Sequence, residues 1–198
     1  MNNKRLFTTV NMVKIAILSA LAVVLMRILE IPLPIFPGFL KIDFGDVPAL
    51  IGTLAVHPFA GVVIIIIKNV LALFNSTTGG IGEIANLIVG VAYILPIAIL
   101  TIKKPTMKNI IIGSCISIVL MIGAGMLTNA FITIPLYGEE ACIAMGSAIN
   151  PNIVDKWTFL LYVIAPFNLI KGILVTIAGI IFVKAIKPAL KYLRVNRV

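Results

Sequence analysis

Charged residues are scarce in this chain: they make up 12% of its 198 residues, whereas hydrophobic residues make up 61%. A typical water-soluble domain carries about twice that share of charge. The scarcity of charge therefore excludes an ordinary soluble fold and favours helices that cross a membrane. The apolar stretches are apolar on all sides, so they lack the alternation expected of transmembrane β-strands. We predict an all-α integral membrane protein that forms one domain over residues 1–198.

The chain also has little of the chemistry on which enzymes depend. It contains two cysteines and one histidine, and their number and spacing fit neither a disulfide framework nor a metal site. It has no GxxxxGK(S/T) phosphate loop, no HExxH motif and no nucleophile elbow with an accompanying histidine. We therefore expect no enzyme activity, no ATP hydrolysis, no metal and no cofactor.

Acidic residues are few, 7 against 16 lysines and arginines, and the positions of the basic residues predict the topology. Long apolar stretches predict six spans at roughly 10–29, 45–57, 58–74, 83–102, 108–134 and 157–186. With a cytoplasmic N-terminus, most of the basic residues form three cytoplasmic groups: Lys4, Arg5 and Lys14; Lys103, Lys104 and Lys108; Lys184, Lys187, Lys191, Arg194 and Arg197. Because lysine and arginine favour cytoplasmic segments, we predict that both termini are cytoplasmic. We expect the first span to be retained, not cleaved as a signal peptide.

Three polar side chains lie within the last two predicted spans. Asn168 and Lys171 are three residues apart in APFNLIKGIL, so they share one helix face. An unpaired ammonium in hydrocarbon costs about 3 kcal/mol or more, so Lys171 must contact protein, water or a ligand. With Asn129 of the fifth span, these side chains would line a cavity that opens outward. Their donors and acceptors suit a planar ligand edge with carbonyls and an imide N–H. The alternative is that they join spans five and six by interhelical hydrogen bonds.

The first outer loop is punctuated by Pro32, Pro34 and Pro37. Because proline fixes φ and removes a backbone donor, these residues predict a rigid, extended lid and not a flexible linker. Near the end of the loop, we expect Asp43 or Asp46 to cap the second helix.

Polar residues near the outer ends of spans three and four leave two interpretations open. Lys68 is expected to extend its ammonium toward the lipid headgroups. Glu83, Asn86, Gly90 and Tyr93 fall on one face of a helix. This stripe is either a polar wall or a packing seam of small residues.

Small residues in the first span form a further pattern. Ala16 and Ala20 are spaced i, i+4, and such spacing lets another helix approach closely. The alternative is packing within this same chain.

Four segments together resemble a known family: LKIDFGDVPALIG, VIIIIKNVLALF, TNAFITIPLY and APFNLIKGIL. The chain resembles, over nearly its whole length, the substrate-binding (S) component of energy-coupling factor (ECF) transporters, and most closely the riboflavin-specific branch. The resemblance implies that Asn129, Asn168 and Lys171 hydrogen-bond the pyrimidine edge of the isoalloxazine ring. It also implies that Leu40 and its neighbours in the first outer loop cover the ring.

The resemblance also implies partners and a location. Ala16 and Ala20 would dock against a membrane-embedded coupling subunit, and two ATP-binding subunits would supply the energy that this chain lacks. The expected function is uptake of riboflavin, with flavin mononucleotide (FMN) as a second candidate ligand, across a bacterial plasma membrane. The alternatives are an S component for another vitamin and a stand-alone secondary carrier of a small solute.

Overall fold

Helices, most of them apolar, form the greater part of the computed structural model, which describes residues 6–194 and the side chains of residues 6–185. The helices are α1 (Thr9–Ile28), α2 (Asp46–Ala55), α3 (Ala60–Leu73), α4 (Ile81–Thr101), α5 (Met107–Thr128), α6 (Ile134–Tyr137), α7 (Glu139–Ser147), α8 (Lys156–Phe159) and α9 (Ala165–Arg194). Of the basic residues in the predicted cytoplasmic groups, Lys4, Arg5 and Arg197 lie outside the described residues. The side chains of Lys187, Lys191 and Arg194 are likewise not described.

Two π-helical turns extend the long helices without interrupting them. The turn Asn129–Thr133 joins α5 to α6, so that Met107–Tyr137 is continuous, and the turn Leu160–Ile164 joins α8 to α9. Such wide turns occur often at functional sites, because they change the direction of side chains within a helix.

Four helical segments of the described chain are long and apolar enough to cross a membrane: Thr9–Ile28, Ile81–Thr101, Met107–Tyr137 and Lys156–Ala185. The first two begin and end within two residues of the predicted spans. α2 and α3 have 10 and 14 residues, and at about 1.5 Å per residue each is shorter than a hydrocarbon core of about 30 Å. The chain is a multi-pass, all-helical membrane protein.

Local sequence explains where several helices begin. Thr8 and Thr106 precede α1 and α5, and each side-chain oxygen accepts a hydrogen bond from the backbone N–H three residues later. Side-chain capping of this kind satisfies donors that have no partner within the helix. α4 begins after Gly79 and Gly80, whose φ angles of 64° and 88° are readily adopted only by glycine.

The loop between α1 and α2 folds back over the helices as a lid, defined here as residues 30–45. Its base is a short antiparallel ladder in which β1 (Ile31–Pro32) pairs with β2 (Lys41–Ile42). Phe36 at its tip is buried and packs edge-on against Phe167 of α9, with ring centroids 5.4 Å apart. Leu33, Phe39 and Leu40 are half-buried, whereas Ile31 and Ile35 are exposed, so only part of the lid packs against the helices. The rigidity expected of the lid stays a prediction.

Candidate functional site

A cavity lies beneath the lid, between the C-terminal end of α1, the N-terminal ends of α4 and α9, and the π-helical turn that follows α5. The space between its walls, including the part that is open to solvent, is about 820 Å³. Its floor and walls are formed mainly by Met26, Leu40, Asp43, Asn86, Val89, Asn129, Thr133, Phe167, Asn168 and Lys171, and its mouth by Arg27, Glu30, Lys41, Thr78, Glu83 and Tyr137. Asn129, Asn168, Lys171 and Leu40, all predicted from the sequence, therefore meet at one cavity.

Lys171 is buried at the floor of this cavity. Its ammonium donates to Asp43 Oδ2 at 2.8 Å and to Asn86 Oδ1 at 2.9 Å. An ammonium has three N–H donors, so these two bonds leave one for another acceptor. The requirement that Lys171 find a partner within the membrane is met by a carboxylate of the lid.

The two asparagines are anchored to their own helices. Asn129 Nδ2 donates to the Gly125 carbonyl at 2.8 Å, and Asn168 Nδ2 donates to the Ile164 carbonyl at 2.9 Å. Both acceptors lie four residues earlier; Asn129 is the first residue of one π-helical turn, and Ile164 is the last residue of the other. With Nδ2 held in this way, each side chain has a fixed orientation and an amide oxygen with acceptor capacity for a ligand.

Gly125 allows the two asparagine-bearing helices to approach. A Cβ at this position would overlap Asn168 Nδ2 and lie 2.8 Å from Asn168 Cγ. The same residue supplies the carbonyl that holds Asn129. The absence of a side chain at Gly125 therefore allows the α5 backbone to lie directly against the Asn168 carboxamide.

A buried cluster of charges, which the sequence analysis missed, surrounds the cavity floor. It consists of Lys68, Asp46, Asp43 and Lys171, each at most 4% exposed. Lys68 Nζ lies 2.5 Å from Asp46 Oδ1 and 3.8 Å from Asp43 Oδ1. The expectation that Lys68 extends toward the headgroups is wrong, since two carboxylates compensate its charge inside the protein.

The capping role expected of Asp43 or Asp46 is also wrong. Gly45 is the residue that precedes α2, and it has no side-chain cap; Asp46 is the first residue of the helix and pairs with Lys68. Asp43 Oδ1 accepts from the Gly45 N–H at 2.9 Å within the lid. Burial alone would raise the pKa of the Asp43 carboxyl, but the ammonium groups of Lys171 and Lys68 and this N–H hold it well below its usual range.

The polar stripe of α4 has two parts. Glu83 and Asn86, near the start of the helix, line the cavity. Farther along, Gly90 packs against Ile65, and the Tyr93 hydroxyl hydrogen-bonds Thr176 at 2.9 Å. Both interpretations of the stripe were therefore correct, each for one half.

A second cluster of charges lies at the mouth of the cavity. Arg27 contacts Glu30 at 3.4 Å, and Lys41 contacts the same carboxylate at 2.7 Å. Arg27 also donates to the Ala72 carbonyl at 2.6 Å and so ties the end of α1 to the end of α3. These groups are partly exposed, with 22% of the Glu30 side chain and 33% of the Lys41 side chain accessible.

Ala16 and Ala20 lie on an exposed face of α1, nearer its N-terminal end than Arg27. Ser19 between them is buried and donates to the Ile15 carbonyl at 2.8 Å. The alternative in which Ala16 and Ala20 pack within this chain does not agree with their exposure.

The fold and the cavity together define a class: a membrane-embedded protein with a hollow, lined by polar side chains, under a lid. The family described as "ECF transporter, substrate-specific component" matches residues 10–183. A riboflavin transporter, RibU, of Staphylococcus aureus is 33% identical over 96% of this chain and 93% of its own length. A riboflavin transporter, FmnP, of Bacillus subtilis is 35% identical over 89% of this chain and 92% of its own length.

A solved structure of the S component of a bacterial ECF transporter has a TM-score of 0.74 and 30% identity. The match covers 91% of this chain and 96% of that one. The chain belongs to the substrate-specific component family of ECF transporters. The resemblance read from its sequence is confirmed, and so is its assignment to transporters and not to enzymes.

Proposed function

We propose that this chain is the riboflavin-binding subunit of an ATP-driven ECF importer, organised as one domain with six membrane spans. The observation that carries the proposal is the meeting of Asn129, Asn168 and Lys171 at one cavity under an apolar lid. Riboflavin is flat and largely apolar, with one edge of carbonyls and an imide N–H. Two oriented carboxamides and one ammonium complement that edge, while Leu40 and Phe39 offer an apolar cover.

The proposed orientation places the cavity on the outer side of the membrane. Lys103, Lys104 and Lys108 are exposed at the turn between α4 and α5, at the opposite end of α4 from the cavity. Because basic residues favour the cytoplasmic side, this turn and both termini are assigned to the cytoplasm. α2 and α3, separated by the turn at His57–Phe59, complete the six spans.

The ligand assignment is supported by the relatives that are named riboflavin transporters. It is tested by titrating purified protein with riboflavin and following the quenching of flavin fluorescence. Asn168→Leu removes a neutral carboxamide that can hydrogen-bond the ligand, whereas Lys171→Met removes a positively charged hydrogen-bond donor. We expect Asn168→Leu to weaken binding about tenfold and Lys171→Met about a hundredfold or more.

The matched control is Lys184→Met, which removes an exposed lysine from the same helix, outside the cavity. It should bind riboflavin as the unmodified protein does. If both cavity variants kept full affinity, the site would be refuted. If the unmodified protein bound another vitamin but not riboflavin, the ligand assignment would be refuted.

Energy for transport is proposed to come from partner subunits. The exposed Ala16 and Ala20 offer a surface on which a helix of the membrane-embedded coupling subunit can lie closely. Ala16→Leu should leave riboflavin affinity unchanged but greatly reduce assembly with the coupling subunit and its two ATP-binding subunits, measured by co-purification and ATP-dependent uptake.

The control for this surface is Gly123→Leu on α5, where an added Cβ meets nothing within 4 Å. It should assemble normally. Normal uptake by Ala16→Leu would contradict the docking face, and uptake by this chain alone, abolished by ionophores, would favour a stand-alone carrier.

A further inference from the structure

The four buried charges at the floor of the cavity, those of Lys68, Lys171, Asp43 and Asp46, neutralise one another. Two lysines and two aspartates balance, because Lys68 and Lys171 each carry one positive charge and Asp43 and Asp46 one negative charge. Lys68 contacts Asp46, and Lys171 contacts Asp43, at 2.5 and 2.8 Å. Pairing inside the protein is required, since an uncompensated charge within a membrane protein costs several kcal/mol.

Within this set, Lys171 has two fixed acceptors and one remaining donor. Asp43 reaches it from the lid, and Asn86 reaches it from α4. Acceptors from two different elements restrict the rotation of a lysine side chain that otherwise has many rotamers. The remaining N–H is therefore held at the cavity floor before a ligand enters.

A second carboxylate lies close to the same ammonium. Asp46 Oδ2 lies 4.0 Å from Lys171 Nζ, and this buried oxygen has no hydrogen-bond partner among the described residues. Lys68 holds the other oxygen of Asp46. If Lys68 were absent, Asp46 would be free to turn toward Lys171.

We propose that Asp43 and Asn86 are positioning residues for Lys171, and that Lys68 holds Asp46 away so that Lys171 stays paired with Asp43. This proposal rests on the proposed function, because it assigns to Lys171 a donor directed at the ligand. None of these supporting residues needs to contact the ligand in order to act. Their effect on affinity passes through the position and the charge balance of Lys171.

The pairing also connects the lid to the floor. Asp43 directly follows β2, and Leu40 lies three residues before it, at the cavity wall. Gly45 keeps this corner compact, since a Cβ there would lie 2.8 Å from the Ala22 carbonyl oxygen and 2.9 Å from Lys68 Cδ. An Asp43 that is held by Lys171 therefore holds Leu40 over the cavity as well.

The test compares Asp43→Asn, Lys68→Met and the combination of the two. Asp43→Asn leaves two lysines with one aspartate, and we expect riboflavin affinity to fall about thirtyfold, as for loss of a charged hydrogen-bonding partner. Lys68→Met leaves two aspartates with one lysine, and we expect a smaller loss, because Asp46 then competes with Asp43. In the combined variant, Lys171 and Asp46 are the remaining charged pair of the cluster, and we expect Asp46 to replace Asp43 as the carboxylate partner of Lys171.

The combined variant is therefore expected to bind riboflavin at least about threefold more tightly than Asp43→Asn alone. A role in packing alone predicts the opposite, because two substitutions would damage the packing more than one. The free energy of unfolding of each variant is measured as well, so that a recovery of affinity larger than the recovery of stability identifies the positioning role. The control Glu140→Gln removes an exposed acid of α7 and should leave the affinity unchanged. Elution as a single species in detergent verifies that each variant is folded.

The outcomes separate the two proposals. If the unmodified protein does not bind riboflavin, the proposed function fails. If it binds riboflavin and Lys171→Met abolishes binding, but the combined variant binds no better than Asp43→Asn, the positioning role is overturned. Recovery of affinity in the combined variant supports it.

Discussion

The floor and the mouth of the cavity contain the same kinds of ion pairs in different surroundings. At the floor, Lys68 and Asp46 lie 2.5 Å apart with at most 1% of either side chain exposed. At the mouth, Lys41 and Glu30 lie at a similar distance of 2.7 Å, but 33% and 22% of their side chains are exposed. Distance alone therefore does not tell the two pairs apart; burial does.

Burial determines how much stability is lost when one partner of an ion pair is removed. A charge left alone at the mouth is solvated by water and screened by salt. A charge left alone at the floor is surrounded by protein, and the stability of the fold then depends on its partner. The floor pairs are thus expected to govern folding and ligand position, and the mouth pairs to have a small effect on either.

The largest effect is expected from breaking a floor pair. Lys68→Met should lower the free energy of unfolding by about 3–5 kcal/mol, since it leaves two carboxylates near one ammonium. Reversible unfolding in mixed micelles measures this change. The combined variant Lys68→Met with Asp46→Asn removes one charge of each sign and should recover much of the loss; equal stability of the single and combined variants would contradict the role of charge balance.

An intermediate effect is expected from the contact between the two asparagine-bearing helices. Gly125→Ala places a methyl group where the Asn168 carboxamide lies, so we expect riboflavin affinity to fall about tenfold. Gly123→Ala is the matched control on the same helix, because an added Cβ meets nothing within 4 Å there. If the two variants had similar riboflavin affinities by flavin fluorescence, the close contact between Gly125 and Asn168 would not contribute to binding.

The smallest effect is expected at the mouth. Glu30→Gln removes the carboxylate shared by Arg27 and Lys41, and we expect a loss of about 0–1 kcal/mol in unfolding free energy. The loss should shrink further at high salt, because these side chains are open to solvent. A loss as large as that of Lys68→Met, independent of salt, would remove the distinction between floor and mouth.

Much of the site could be predicted because each span carries few polar residues. In an apolar helix, Asn168 and Lys171 are conspicuous, and their spacing alone places them on one face. Asn129 was found by the same reasoning. The structure brings all three to one cavity, and which ligand they bind stays a prediction.

The charged partners at the floor could not be assigned in the same way. Asp43 is 128 residues from Lys171 along the chain, and Asp46 is 22 residues from Lys68. A signal was present, because two lysines within apolar spans require compensating acids, and two aspartates lie nearby, Asp43 in the lid and Asp46 at the start of α2. Local spacing gave no indication of the pairing, so Asp43 or Asp46 was expected to cap the second helix, and Lys68 was expected to extend toward the headgroups.

By itself, the sequence determined that this chain lies in a membrane, which stretches are helical and which polar residues are too costly to face lipid. These properties depend on local composition, since each span must satisfy the bilayer over its own length. Only the tertiary structure decided which charge compensates which, how Gly125 fits against Asn168 and how the lid reaches the floor. Those contacts join residues distant along the chain, and their geometry depends on how the helices pack.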